Sequence, residues 1–113
     1  MGNFNPPVTE FLTPDEKQEW KKNKLEFQII DCRHTESKFG PAYTYKMRHV
    51  DKKSGDVTVK QLSLVENPRR IEEAEWLMTE LAADKSGNGV GPCRLTSVAT
   101  DQGNDAWMFE SAE

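Results

Sequence analysis

Leu25-Glu26-Phe27-Gln28-Ile29-Ile30-Asp31-Cys32 is the stretch on which the fold turns. Leu25, Phe27 and Ile29 alternate with Glu26 and Gln28, the period-two pattern of a half-buried strand. Ile29 and Ile30 are then adjacent, and the alternation restarts on the other parity with Ile30 and Cys32. That slip predicts a β-bulge, which bends a strand and increases its twist. A bent first strand points to a sheet that curls on itself.

Arg33 to Gly40 is polar, ends in Gly40-Pro41, and reads as a loop. A second alternating run covers Ala42 to Val50. Asp51-Lys52-Lys53-Ser54-Gly55-Asp56 supplies turn chemistry, and Val57 to Val65 completes a hairpin. At Asn67-Pro68 the period becomes helical, with Asn67 as N-cap and Pro68 in the first turn. Ile71, Ala74, Met78 and Leu81, with Leu77 beside them, form the apolar stripe, and Glu72, Glu73 and Glu75 are expected to complement the positive end of the helix. This helix should run to about Lys85 and stop at Gly87 and Gly89. Cys93 to Thr100 reads as a strand, Asp101 to Asp105 as a turn, and Ala106 to Glu110 as a last strand with Trp107 and Phe109 on one parity. Upstream, residues 1–12, with Pro6 and Pro7, read as an extended arm. Thr13-Pro14-Asp15-Glu16 is a capping box that opens a short helix to about Lys22, whose main apolar residue is Trp20. Residues 13–113 are thus one domain.

Three strands, a helix and two strands match the order of the oligonucleotide/oligosaccharide-binding (OB) fold. The expected class is mainly β: a five-stranded OB-like Greek-key barrel with a short N-terminal helix, in which curling removes most exposed edges. A split-sheet α+β domain is the competing arrangement.

The chain has 113 residues, 35% hydrophobic, with a mean hydropathy of -0.79. Its net charge of -4 and pI near 5.2 exclude a bulk polycation that holds nucleic acid by charge alone. Charge is uneven: residues 1–16 sum to -3, Lys17 to Lys60 to +5, and Gln61 to Glu113 to -6. A domain with a basic and an acidic side follows. No stretch reaches the ~18 apolar residues of a membrane span, and the N-terminus lacks the basic start and apolar run of a signal peptide. A soluble, cytoplasmic protein is expected. Cys32 and Cys93, far apart and without a CxxC, indicate free thiols rather than a disulfide framework.

Enzymatic signatures are missing: there is no GxxxxGK[ST], GxSxG, HExxH, or GxGxxG after a strand. Gly87-Asn88-Gly89-Val90-Gly91 follows a helix and precedes a strand, the reverse of a phosphate loop, and reads as a helix stop and connector. His34 and His49 lack metal-ligand spacing with Cys32 or Cys93. No enzyme activity, metal or cofactor is expected.

Binding chemistry concentrates on the second and third strands and their flanking loops. Lys38, Lys46, Arg48, Lys52, Lys53 and Lys60 fall there, interleaved with Phe39, Tyr43 and Tyr45. Single-stranded nucleic acid calls for this pairing, because cations follow the phosphates while aromatic faces stack unpaired bases. Lys46 and Arg48 share a strand face with Thr44; Tyr43, Tyr45, Met47 and His49 share the other. Tyr45 and Met47 are needed to fill the core, which puts Lys46 and Arg48 outside as a cationic strip and leaves stacking to Phe39 and Trp107. For Trp107 and Phe109, buried packing is the competing role. Trp76 lies off the stripe of its helix and either packs against Trp20 or marks a partner surface.

Glu36-Ser37-Lys38-Phe39-Gly40-Pro41-Ala42-Tyr43, Gly91-Pro92-Cys93-Arg94-Leu95 and the Gly103-Asn104 turn resemble small phage and prophage OB-fold proteins of the single-stranded DNA-binding type. The resemblance implies a DNA replication or recombination accessory. Such proteins often carry a long acidic tail for recruiting partners; here Glu110-Ser111-Ala112-Glu113 stands in its place, so recruitment through a tail is not expected. The leading expectation is a non-enzymatic module for single-stranded DNA, or RNA. The alternative is a protein-interaction module, or a phage inhibitor, using the acidic surface from Glu66 to Glu80. Oligosaccharide binding is a weaker third reading.

Overall fold

The computed structural model describes residues 10–38, 40–99 and 105–112. Their elements keep the expected order: α1 (Pro14–Lys22), β1 (Glu26–Ser37), β2 (Gly40–Val50), β3 (Val57–Val65), α2 (Pro68–Ala83), β4 (Val90–Ala99) and β5 (Asp105–Ser111). The strands form one antiparallel sheet in the order β3-β2-β1-β4-β5.

The doubled isoleucine does what its pattern predicts. Ile29 stands opposite Met47 and Asp31 opposite Lys46, so Ile30 is the extra residue of a bulge, and a second register shift against β4 falls between Phe27 and Ile29. Past the bulge, Cys32 turns to the same side as Phe27 and Ile29, and all three are buried. That side, the core face, also carries Tyr43, Tyr45, Met47, Leu62, Leu64 and Leu95. Both helices pack on it: α2 brings Ala74 and Leu77, and α1 brings Trp20, whose ring lies 5.6 Å from Phe27 and 6.1 Å from His49. A nine-residue helix is too short to persist alone. Burying one indole, about 150–250 Å² at ~25 cal/mol per Å², contributes at most roughly 4–6 kcal/mol toward holding it.

Gly89 and Gly91 are more than a connector. Gly89, at φ +87°, lies so close to β1 that a Cβ there would stand 2.5 Å from the Ile29 carbonyl oxygen. One at Gly91, at φ +153°, would stand 2.8 Å from the Phe27 carbonyl oxygen. β4 therefore enters the sheet against the bulge on two residues without side chains.

The stretch from Arg33 to Ser37, expected as loop, belongs to β1 and pairs through to Ser37 opposite Gly40. Cross-strand contacts carry it in place of burial: Thr35 Oγ1 lies 3.1 Å from Thr44 Oγ1, and the His34 ring stands edge-on to Tyr43 at 5.0 Å. The first turn of α2 holds Arg69 and Arg70 and no acid, which corrects the expected dipole role of Glu72, Glu73 and Glu75, since that interaction fades beyond the first turn.

The sheet does not close. Among the described residues no ladder joins β3 to β5. On the outer edge of β3, the Gln61 N–H donates to the Glu10 carbonyl and the Leu12 N–H to the Gln61 carbonyl, both at 2.9 Å, so residues 10–12 take the main-chain groups that a closing strand would need. Across the gap, the Arg70 guanidinium donates to the Val65 carbonyl and, at 2.9 Å, to the Trp107 carbonyl, tying the end of β3 to β5. The expected arm therefore contributes Leu12 to the core, while residues 1–9 lie outside the described part.

Candidate nucleic-acid interface

Strand geometry alone puts Thr44, Lys46 and Arg48 on the outer face, opposite the helices. Tyr43 and Tyr45 are buried on the core face, which leaves Lys46 and Arg48 as half-buried outer cations. In β1, Gln28 lies opposite Arg48, Asp31 opposite Lys46 and Arg33 opposite Thr44; in β3, Val59, Gln61 and Ser63 hold the same rungs. Neither Lys46 nor Arg48 forms an ion pair with a described residue.

Arg33 joins this face although its polar neighbourhood from Arg33 to Gly40 predicts a loop. Its guanidinium spans β2 to donate to Gln61 Oε1 at 3.2 Å and lies 3.4 Å from the Asp31 carboxylate. The signal was present in the bulge: carrying the restarted parity on from Cys32 places Arg33 with Asp31 on the outside.

The other expected site residues divide. Lys38 is exposed at one end of the β1–β2 hairpin, and Lys52 and Lys53 are exposed in the turn at the other. With eleven residues in β2, these ends lie roughly 35 Å apart. The Lys52 ammonium stands 3.8 Å from Glu26, and the Lys53 main-chain N–H donates to Asp51. Phe39 lies outside the described residues. Lys60 is on the core-face parity, opposite Met47, with its ammonium 3.1 Å from Glu10 and 3.4 Å from Glu16. The hydrogen bond that Lys60 donates to the Glu10 carboxylate leads the influences that raise its pKa. Lys60 anchors the N-terminal segment and does not meet Lys46 and Arg48.

Trp107 is half-buried on the core side, opposite Ser97. The ammoniums of Lys17 and Lys21 stand 5.8 and 5.9 Å from its ring centroid, and Lys21 donates to Ser97 Oγ at 2.8 Å. The indole thus belongs to a second cationic cluster built by α1, separate from Lys46 and Arg48. Lys17 and Lys21 carry the four-residue spacing of one helix face, but only the docking of α1 shows what they meet. Trp76 does not pack against Trp20; it is 55% exposed, while Trp20 contacts Phe27 and His49.

The remaining reactive groups are engaged or masked. His34 Nε2 lies 2.9 Å from Glu66 Oε2, and His49 Nδ1 donates to the Glu26 carbonyl at 2.8 Å. Burial pushes the Cys32 thiol up to about 11 and raises that of Cys93, which disfavours their thiolates. Among the described residues no three His, Cys, Asp or Glu side chains are grouped to hold a metal, and no helix is long and apolar enough to cross a membrane.

Comparison with protein-family models, with curated proteins and with solved structures finds no match for this chain.

Proposed function

We propose that this protein binds single-stranded DNA without catalysis, along the outer face of β1, β2 and β3, as an accessory of DNA replication or recombination. The observation that carries the reading is the placement of Lys46 and Arg48, unpaired among the described residues, beside Arg33 on a sheet face that neither helix covers. The strand order β3-β2-β1-β4-β5 is that of an OB barrel opened between β3 and β5, and such folds bind strands across this region. The acidic α2 packs on the opposite side of the sheet, so its carboxylates do not line the track.

Three cations imply weak, salt-sensitive binding. Each neutralised phosphate of a single strand contributes about -0.7 to the log–log salt slope, so three give roughly -2. Fluorescence anisotropy of a labelled oligo-dT at low salt should show association with that slope. Replacing Lys46 and Arg48 together with Glu should abolish it, while Cys32→Ser with Cys93→Ser should not. Absence of binding at tens of micromolar protein refutes the proposal. An oligo-rU competitor of equal length reads out DNA against RNA.

A second reading, a protein-interaction module, is favoured by Trp76, exposed on α2 among the exposed Glu72, Glu75 and Glu80. Its test is a stable protein partner retained by a chain that ignores oligonucleotides.

A further inference from the structure

Unpaired bases stack on aromatic faces, and the outer face of β1, β2 and β3 presents none among the described residues, since Tyr43 and Tyr45 are buried on the core side. An aromatic ring beside cations lies elsewhere, where α1 crosses β4 and β5. Trp107 is half-buried there, and the ammoniums of Lys17 and Lys21, side chains that are also half-buried, stand 5.8 and 5.9 Å from its ring centroid. Those distances are at the outer limit of a cation–π contact, so the ring offsets the two charges only weakly. Lys21 is fixed by its hydrogen bond to Ser97 Oγ at 2.8 Å, on the rung opposite Trp107.

Like charges four residues apart on a helix repel, and neither ammonium has an ion pair with a described residue. The acids of α1 are turned elsewhere. At about 3.6 residues per turn, Asp15 and Glu19 fall on the far side of the helix from Lys17 and Lys21, while Glu16 accepts from the Thr13 N–H and pairs with Lys60. An anion between the two ammoniums removes their repulsion and accepts charge-assisted hydrogen bonds from both. A simple anion would leave the indole unused, whereas a nucleotide carries an aromatic base next to its phosphate. Trp76, exposed among Glu72 and Glu75, has the wrong charge beside it for the same ligand.

We infer that Lys17, Lys21 and Trp107 form a nucleotide subsite for a single strand, with one phosphate between the two ammoniums and the adjoining base against the open part of the indole. The inference takes its ligand from the single-strand reading above and adds a contact on the helix side of the sheet, apart from Lys46 and Arg48.

The probe is tetrathymidylate, titrated at low salt into a Trp76→Phe protein while tryptophan emission is followed. That substitution removes the exposed indole, and Trp20 is 7% exposed, so Trp107 is the indole a base can reach. Emission should fall saturably. Adding Lys17→Ala with Lys21→Ala, which keeps good helix formers in α1, should raise the midpoint about tenfold, the loss of one charge-assisted contact, and Lys17→Arg with Lys21→Arg should restore it. A tetramer of abasic sugars, which keeps the phosphates, should leave the emission unchanged. No saturable quench, an equal midpoint after the alanine substitutions, or equal quenching by the abasic tetramer overturns the inference. If the midpoint ignores Lys17 and Lys21 while Lys46→Glu with Arg48→Glu still abolishes oligo-dT anisotropy, the subsite falls and the outer-face reading stands. If the quench depends on Lys17 and Lys21 while that anisotropy ignores Lys46 and Arg48, the outer face falls and the subsite stands.

Discussion

Replacing Gly89 with Ala tests how the bulge holds the sheet together. Gly89 sits at φ +87°, where an L side chain costs about 1–2 kcal/mol, part of which is offset because Ala restricts the unfolded chain by ~0.4–1 kcal/mol. Gly87, at φ +74°, carries the same conformational term, but a Cβ there meets nothing within 4 Å. At Gly89 the added carbon would stand 2.5 Å from the Ile29 carbonyl oxygen and 2.9 Å from Ile30 Cγ2, so the backbone of β1 or β4 must move. Such overpacking adds about 1–3 kcal/mol. Gly89→Ala should therefore lose about 2–4 kcal/mol and Gly87→Ala about 1 kcal/mol or less. At roughly 4–8 °C per kcal/mol for a domain of this size, thermal unfolding followed by far-UV circular dichroism should show a Tm drop of at least ~8 °C for Gly89→Ala and only a few degrees for Gly87→Ala. Equal melting of the two variants would refute the claim that close approach at the bulge locks β4 to β1. Displacement there should also shift Asp31 and Arg33, so oligonucleotide binding should weaken along with stability.

Tyr45 is fully buried, and its hydroxyl has no hydrogen-bond partner among the described residues, so Tyr45→Phe should raise stability by about 1 kcal/mol, read as a higher urea midpoint; a fall would show that the hydroxyl is satisfied. The Glu16 carboxyl is lowered first by the Thr13 main-chain hydrogen bond, Asp51 by those of Ser54 and Lys53, and Asp84 by the Ser86 hydroxyl and the Gly89 N–H. Folded pKa values below unfolded ones stabilise above the unfolded pKa, so this contribution should be lost as pH falls below about 4, with Glu73, raised by burial, acting in the opposite sense. A urea midpoint at about pH 3 equal to that at about pH 6 would contradict it. Arg70→Lys cannot span the Val65 and Trp107 carbonyls with one planar fork, so amide exchange in β5 should quicken about tenfold; unchanged protection would show that Arg70 does not hold the seam.

Local chemistry determined the elements of this protein. Thr13-Pro14-Asp15-Glu16 carries its capping box in four residues, and the structure forms both of its hydrogen bonds, because the partners lie within one turn. Asn67 caps α2 for the same reason. The doubled isoleucine located the bulge, since face alternation is a property of the strand itself. The outer position of Lys46 and Arg48 was legible too, once Tyr45 and Met47 were assigned to the core. Tertiary structure decided whatever depends on residues distant in the chain. Arg33 to Ser37 is polar and has no strand signal of its own, yet pairing with β2 makes it strand. Lys60 looked like its neighbours in sequence, but docking of residues 10–16 places it between two carboxylates. Trp107 finds Lys17 and Lys21 only because α1 crosses to β4 and β5, and the sheet stays open because Gln61 spends its edge on Glu10 and Leu12. A chain encodes its short-range periodicity and caps directly, while which distant surfaces compete for one edge or one charge is settled only when the whole core has packed.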